Sequence, residues 1–299
     1  MGPDGRRCAA MDGVNTMHAA DAPVRLQEVA ERLAAEAAQF VRRRRVEVFG
    51  DGSAGAAPDT AQPSVRAKST PTDPVTIVDT ETERLLRDRL GQLRPDDAIL
   101  GEEEGGSVDI AEGRLTWVLD PIDGTVNFLY GIPAYGVSVG VRRDGVSVAG
   151  AVADVAAGAV YSAALGHGAR LSRDGVATEL HVTSATDLSM ALVGTGFSYD
   201  RAHREQQGRI IARLLPEVRD LRRMGSCALD LCAVAAGRLD AYFEDDVHLW
   251  DWAAGALIAS EAGALVRPPR TEDGSGLMVA AAPGISVALD EALARSGAL

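Results

Sequence analysis

Apolar residues recur at helical spacing from 24 to 42. Leu26, Val29, Leu33, Ala37 and Phe40 or Val41 fall on one face, which predicts an amphipathic helix. Asp21 and Pro23 suit its first turn. Arg42 to Arg45 suit its negative dipole end, and a solvated helix terminus explains that run better than a nucleic-acid patch. A second helix is expected to start near Thr76 to Asp79 and to run through Leu85, Leu86 and Leu90 to Leu93. Strands are expected over 98–100, 116–119, 135–141, 146–154 and 159–164. Arg-Asp-Gly and Ala-Ala-Gly turns separate the last of these, so adjacent strands form an antiparallel sheet rather than βαβ units. A further set begins near Thr183: a strand over 188–194, a helix over 201–215 and a short buried helix over 228–236. A strand over 239–243 and a helix over 252–262 follow, with Gly263 placed to end the latter.

This pattern divides the chain into a leader (1–22), an N-terminal region (23–182) and a C-terminal region (183–299). The leader has no apolar core of the signal-peptide kind and carries internal methionines at Met11 and Met17, so it reads as disordered, with a translational start that can fall after Met1. Residues 50–64 read as a flexible loop. The 299 residues fit one large domain or two. The least charged stretch, 145–169, contains Asp154 and several glycines and alternates like paired strands, so no membrane span is expected. A formal charge of −13 argues against direct nucleic-acid binding. Cys8, Cys227 and Cys232 show no metal-site spacing and point to a reducing cytoplasm. Lys68 is the only lysine in the chain, and an ammonium can do what a guanidinium fork cannot.

The candidate chemistry is carboxylate-rich. In Trp117-Val-Leu-Asp-Pro-Ile-Asp-Gly-Thr125 an apolar strand ends in Asp120 and Asp123, with Pro121 between them. Two such acids can surround hard cations, and the Ile122 carbonyl is free to join them. The amides of Gly124 and Thr125 then open a helix that can face an anion. Turn capping is the bland alternative for these aspartates. Glu102-Glu103-Glu104 follow an apolar strand, and their mutual repulsion calls for solvent or a cation. Asp79 sits at a helix start, after Asp73-Pro-Val-Thr-Ile-Val. Asp251 lies at the start of the last of these helices, between two of the three tryptophans.

These segments, in this order, resemble the signature motifs of the inositol monophosphatase family. The resemblance rests on DPIDGT at 120–125, WD-x-A-A-G at 250–255 and the Gly-Glu-Glu and Asp79 segments upstream, and it covers about residues 24–295. It implies an α+β fold, a layered α-β-α-β-α sandwich. By resemblance, Glu102, Asp120 and the Ile122 carbonyl hold one Mg²⁺, and Asp120, Asp123 and Asp251 hold a second. A third, weaker ion leans on Glu102. Asp79 and Thr125 orient and deprotonate the attacking water, while the Gly124 and Thr125 amides bind the phosphate. Glu244 hydrogen-bonds polyol hydroxyls, Gly225, Ser226 and Cys227 line the ring, and Lys68 matches a lysine of the mobile loop. The extra acid in the Glu102–Glu104 run leaves open which glutamate reaches the metal, and Cys227 stands where small residues are usual.

The implied reaction is Mg²⁺-dependent hydrolysis of inositol monophosphate, a small-molecule phosphate ester, with lithium sensitivity and a homodimeric assembly. Glu244 and the lack of an obvious basic pocket for a second phosphate favour a polyol monophosphate. Histidinol phosphate and other sugar or nucleotide phosphates of the superfamily are the alternatives, and a protein-binding scaffold in transcription is a reading of another class. Gly136-x-Ser138-x-Gly140 fits a hydrolase elbow only in letters, because Val137, Val139 and Val141 continue one strand through it. His248 reads as a structural neighbour of Trp250.

Overall fold

The computed structural model describes residues 19–50, 64–68, 74–109, 111–269 and 276–299. Residues 1–18 of the expected leader and 51–63 of the expected loop lie outside the described residues. Ala19–Asp21 form a 3-10 turn, and the Asp21 carboxylate pairs with Arg94 at 2.6 Å.

In chain order the elements start with helix α1 (Pro23–Phe49), the short strands β1 (Val65–Ala67) and β2 (Pro74–Thr76), and helix α2 (Ile77–Leu93). Strands β3 (Ala98–Gly101), β4 (Gly105–Gly106) and β5 (Leu115–Asp123) precede the one-and-a-half-turn helix α3 (Thr125–Tyr130). Five strands follow: β6 (Gly136–Arg143), β7 (Val146–Asp154), β8 (Ala159–Ala164), β9 (Ala169–Arg173) and β10 (Val176–Glu179). The C-terminal part holds β11 (Leu192–Thr195), α4 (Arg201–Leu214), β12 (Asp220–Arg222), α5 (Cys227–Ala235) and β13 (Ala241–Asp245). It closes with α6 (Leu249–Glu261), β14 (Leu265–Arg267), β15 (Leu277–Ala281) and α7 (Ser286–Ser296).

An eight-stranded sheet runs β10-β9-β8-β7-β6-β5-β3-β4, antiparallel except for the β3–β5 pair. One face buries the apolar stripe of α1 with α2; Leu26, Leu33, Val41, Leu86 and Leu90 pack there around Trp117 and Phe128. The other face receives α5 and α6. α6 lies so close that a Cβ at Gly150 would come within 2.9 Å of the Ala254 Cα, so glycine permits the contact. Beyond those helices lies a five-stranded sheet, β12-β11-β13-β15-β14, whose outer face packs on α4 and α7 through Ile210, Leu214, Leu289 and Leu293. The layers are therefore α-β-α-β-α, as expected. No described helix is long and apolar enough to cross a membrane.

Four local expectations change. α1 runs on to Phe49, so Arg42 to Arg45 lie within the helix and not at its dipole end. The region 188–194 divides into a 3-10 turn (Leu188–Met190) and β11, which pairs in parallel with both β12 and β13. β5 extends through Asp123 instead of ending at Leu119, with a register break between Asp120 and Asp123. Pro121 has no N–H to give the ladder, which fits a bulge at that point. α6 starts three residues earlier than expected, at Leu249, so Asp251 stands at its third position behind His248 rather than at the cap. As expected, Ser138 lies within a continuous strand.

Candidate active site

The bulged end of β5, the starts of β2, α3 and α6, and the β3–β4 turn converge on one cavity of about 450 Å³, and Asp79 at the start of α2 lies behind its wall, against Thr125. Asp120, Asp123 and Asp251 each direct a carboxylate oxygen into it, all within 4.8 Å of one another. Each is fixed by its own neighbours. Asp120 Oδ1 accepts from the Ile122 N–H at 3.0 Å. Asp123 Oδ2 accepts from Ser226 Oγ and from the Ala228 N–H, both at 2.6 Å. Asp251 Oδ2 accepts from the His248 N–H at 2.6 Å, closing a capping box at the head of α6. The His248 and Trp250 rings stack at 4.9 Å beside it, as the sequence suggested.

The three glutamates of the β3–β4 turn have different surroundings. Glu102 lines the cavity, Glu103 pairs with Lys68, and Glu104 pairs with Arg84 at 2.9 Å. Lys68 Nζ also donates to Glu102 Oε1 at 2.7 Å. A residue the sequence did not single out holds this turn. Glu83, wholly buried on α2, accepts from the Glu103 and Glu104 N–H groups at 2.7 and 3.0 Å and pairs with Arg87 at 2.8 Å.

Asp79 is buried at the third position of α2, where its Oδ2 accepts from the Thr76 N–H at 3.0 Å and from the Thr76 hydroxyl. Its Oδ1 lies 3.2 Å from Thr125 Oγ1, which is also 3.1 Å from the Ile122 carbonyl. Gly124, at φ +95°, turns the chain into α3; a Cβ there would sit 2.9 Å from the Ala134 carbonyl. Gly124 and Thr125 line the cavity.

On the C-terminal side Glu244, Gly225 and Cys227 line the cavity. The Glu244 carboxylate accepts from the Tyr242 hydroxyl. Ser226 does not line the cavity; its hydroxyl is committed to Asp123 and to capping α5. Phe197, Tyr199 and Asp200 form a further wall of the cavity, and Arg223 and Asp246 line it too; no local pattern marks any of them. Those residues reach the cavity only because β11, β12 and β13 lie side by side.

Burial raises the proton affinity of Asp79, Asp120, Asp123, Asp251 and Glu244. It pushes Asp79 up to about 7, with Glu102 adding repulsion and Thr76 opposing. It pushes Asp123 to about 6 against the Ser226 hydrogen bond, and Glu244 to about 7 against the Tyr242 one. Asp120 and Asp251 lie well above the usual carboxylate range through burial first and then through the charges of Glu102 and Asp123. Burial alone would lower Lys68, but Glu102 and Glu103 outweigh it and hold the ammonium protonated. Among the described residues no lysine or arginine pairs with Asp120, Asp123 or Asp251. Packed oxygen donors with uncompensated negative charge fit a hard divalent cation.

Residues 23–296 match the inositol monophosphatase family. The chain belongs to that family. It is 60% identical over 282 residues to the inositol-1-monophosphatase SuhB of Mycobacterium tuberculosis, covering 93% of this chain and 96% of that protein. The solved structure of M. tuberculosis SuhB superposes with a TM-score of 0.78 at 54% identity, over 93% of this chain and 99% of that one. An inositol monophosphate-bound structure of SaIMPase-II superposes with a TM-score of 0.70 at 26% identity, over 91% and 95% of the two chains. The family is metal-dependent, and this chain carries a cluster of three carboxylates, Asp120, Asp123 and Asp251.

Proposed function

We infer that this chain is a divalent-cation-dependent phosphomonoester hydrolase that releases phosphate from inositol monophosphate. The observation that carries the reading is the convergence of Asp120, Asp123 and Asp251 within 4.8 Å, beside Glu102 and the Asp79–Thr125 pair. Asp120, Asp123, Asp251, Glu102 and the Ile122 carbonyl would hold two or three Mg²⁺ ions. When bound, the ions withdraw charge from the ester phosphate and from the attacking water.

The remaining steps belong to the chain's own groups. The Thr125 hydroxyl, donating to Asp79 Oδ1, turns an oxygen lone pair toward the cavity and accepts a proton from water; Asp79 is the final store of that proton. The Gly124 and Thr125 amides at the head of α3 hold the phosphate oxygens. Glu244 accepts hydrogen bonds from the polyol hydroxyls, and Gly225 and Cys227 leave room for its ring. Ser226 acts at one remove, aiming Asp123. Kinship within the family supports competition by Li⁺ and a homodimeric assembly as parts of the same reading.

The test measures phosphate release from inositol 1-phosphate and from histidinol phosphate side by side, with Mg²⁺ and with chelator. Mg²⁺-dependent turnover that prefers the inositol ester is expected. A large preference for histidinol phosphate would overturn the substrate, and full turnover in chelator would overturn the role of the carboxylate cluster.

A further inference from the structure

β11 ends at Thr195 and α4 begins at Arg201, so the cavity wall of Phe197, Ser198, Tyr199 and Asp200 belongs to neither a sheet nor a helix. Irregular backbone of this kind is placed by the groups that satisfy its polar atoms. Two chains of hydrogen bonds do so here. In the first, the buried Ser198 N–H donates to Gln207 Oε1 at 3.0 Å, and the Gln207 amide nitrogen donates to Asp245 Oδ1. In the second, Asp200 Oδ1 accepts from the His203 N–H at 2.8 Å as it caps α4, and the His203 ring meets Asp245 Oδ2 at 2.7 Å. The Asp200 N–H joins the two by donating to Ser198 Oγ at 3.0 Å. Both chains end on the carboxylate of Asp245.

Asp245 follows Glu244 on β13, and successive side chains of a strand point to opposite faces. Glu244 thus lines the cavity while Asp245 bonds to α4. The wall also meets Glu244 directly: a Cβ at Gly196 would collide with the Glu244 carboxylate, so the bare Cα lets the acid lie against this segment. We propose that Asp245 is a positioning residue, which holds the 197–200 wall beside Glu244 through Gln207 and His203 and so fixes the face of the cavity that fits the alcohol. It acts through the wall and touches no reacting atom. The inference rests on the phosphomonoesterase reading above and concerns the alcohol side of that same site.

The experiment measures kcat and KM for inositol 1-phosphate with Mg²⁺ in the full chain, for wild type, Asp245→Ala, Gln207→Leu, their double variant and Asp245→Asn. A loosened wall should raise KM about tenfold in Asp245→Ala, and less in Gln207→Leu, which keeps the His203 tie. Both should leave kcat within about twofold, because the groups that move the proton are untouched. Gln207 reaches the wall's anchor only through Asp245, so the double variant should raise KM no further than Asp245→Ala alone. Asp245→Asn keeps an oxygen for Gln207 and offers an N–H to His203, so it should recover most of the wild-type KM. An unchanged KM in both disruptive variants overturns the inference. A fall in kcat at unchanged KM also overturns it, since that marks a loss of folded enzyme, and so do additive effects in the double variant. Should Asp245→Ala not fold, the KM of Gln207→Leu decides by the same criteria. Absence of turnover in wild type overturns the phosphatase reading together with this one, so the two failures are told apart.

Discussion

Asp120→Asn separates what the carboxylate cluster costs the fold from what it gives the reaction. Asp120 is 1% exposed and is crowded by Glu102, Asp123 and Asp251. Two unit charges 4.8 Å apart repel by about 3.5 kcal/mol at an effective dielectric of about 20. Protonation limits the cost, because a carboxyl with raised proton affinity takes up a proton instead of enduring the repulsion. At pH 7, for a group ordinarily near 3.8, that limit is roughly 4 kcal/mol. Asparagine keeps the oxygen that accepts from the Ile122 N–H and removes the charge.

Without divalent cations, Asp120→Asn should therefore be more stable than wild type by about 2–4 kcal/mol at pH 7, which raises Tm by several degrees, roughly 2–4 °C per kcal/mol for a chain of this size. The sign with pH follows from the raised proton affinity of the folded state. Asp120's penalty is absent below about pH 3.8, where both states are protonated, and it grows as pH rises. The gain should thus increase from pH 4 to pH 7. Mg²⁺ should stabilise wild type strongly and the variant weakly, and the variant should lose turnover. Thermal unfolding in chelator and in Mg²⁺ across this pH range, paired with phosphate release, gives the answer. A variant that melts at or below wild type in chelator, or one with near wild-type turnover, would refute the reasoning.

Two further outcomes are expected. Asp79 must be ionised to take the proton, so kcat should rise with pH through an acid limb that lies at or below the value of about 7 set by burial, since bound cations favour the carboxylate. Asp79→Asn should lower kcat by about 10²–10⁴ and abolish that limb; an unaltered pH profile in the variant would exclude Asp79 as the base. Glu83→Gln should cost about 2–4 kcal/mol, because a wholly buried carboxylate that bonds two amides and Arg87 loses its charge. Denaturant unfolding measures that cost, and calorimetric Mg²⁺ titration should show weaker binding as the turn carrying Glu102 loosens. Wild-type stability together with wild-type affinity would deny Glu83 this role.

The acids of the site were legible wherever a short run of sequence holds both the side chain and the backbone that aims it. Asp120 and Asp123 sit three residues apart around Pro121, and the strand-to-helix turn at Gly124 is written in the same segment. Asp79 and Asp251 each occupy the third position of a helix and fold back onto its cap, again a local matter. The long stripe of α1 and the alternating strands through β8 announced the larger sheet, because burial on one face imposes its period on nearby residues.

Tertiary structure alone decided which distant groups meet. Glu83 seizes amides 20 and 21 residues away, Ser226 aims an aspartate 103 residues before it, and Arg223 enters the cavity through a sheet whose parallel pairing leaves no hairpin turn in the sequence. Sequence period reports how much of a residue is buried and on which face; it carries no information about which residue lies opposite. That choice is made when whole layers pack. It determined here that three aspartates, Glu102, Glu244 and Arg223 surround one space.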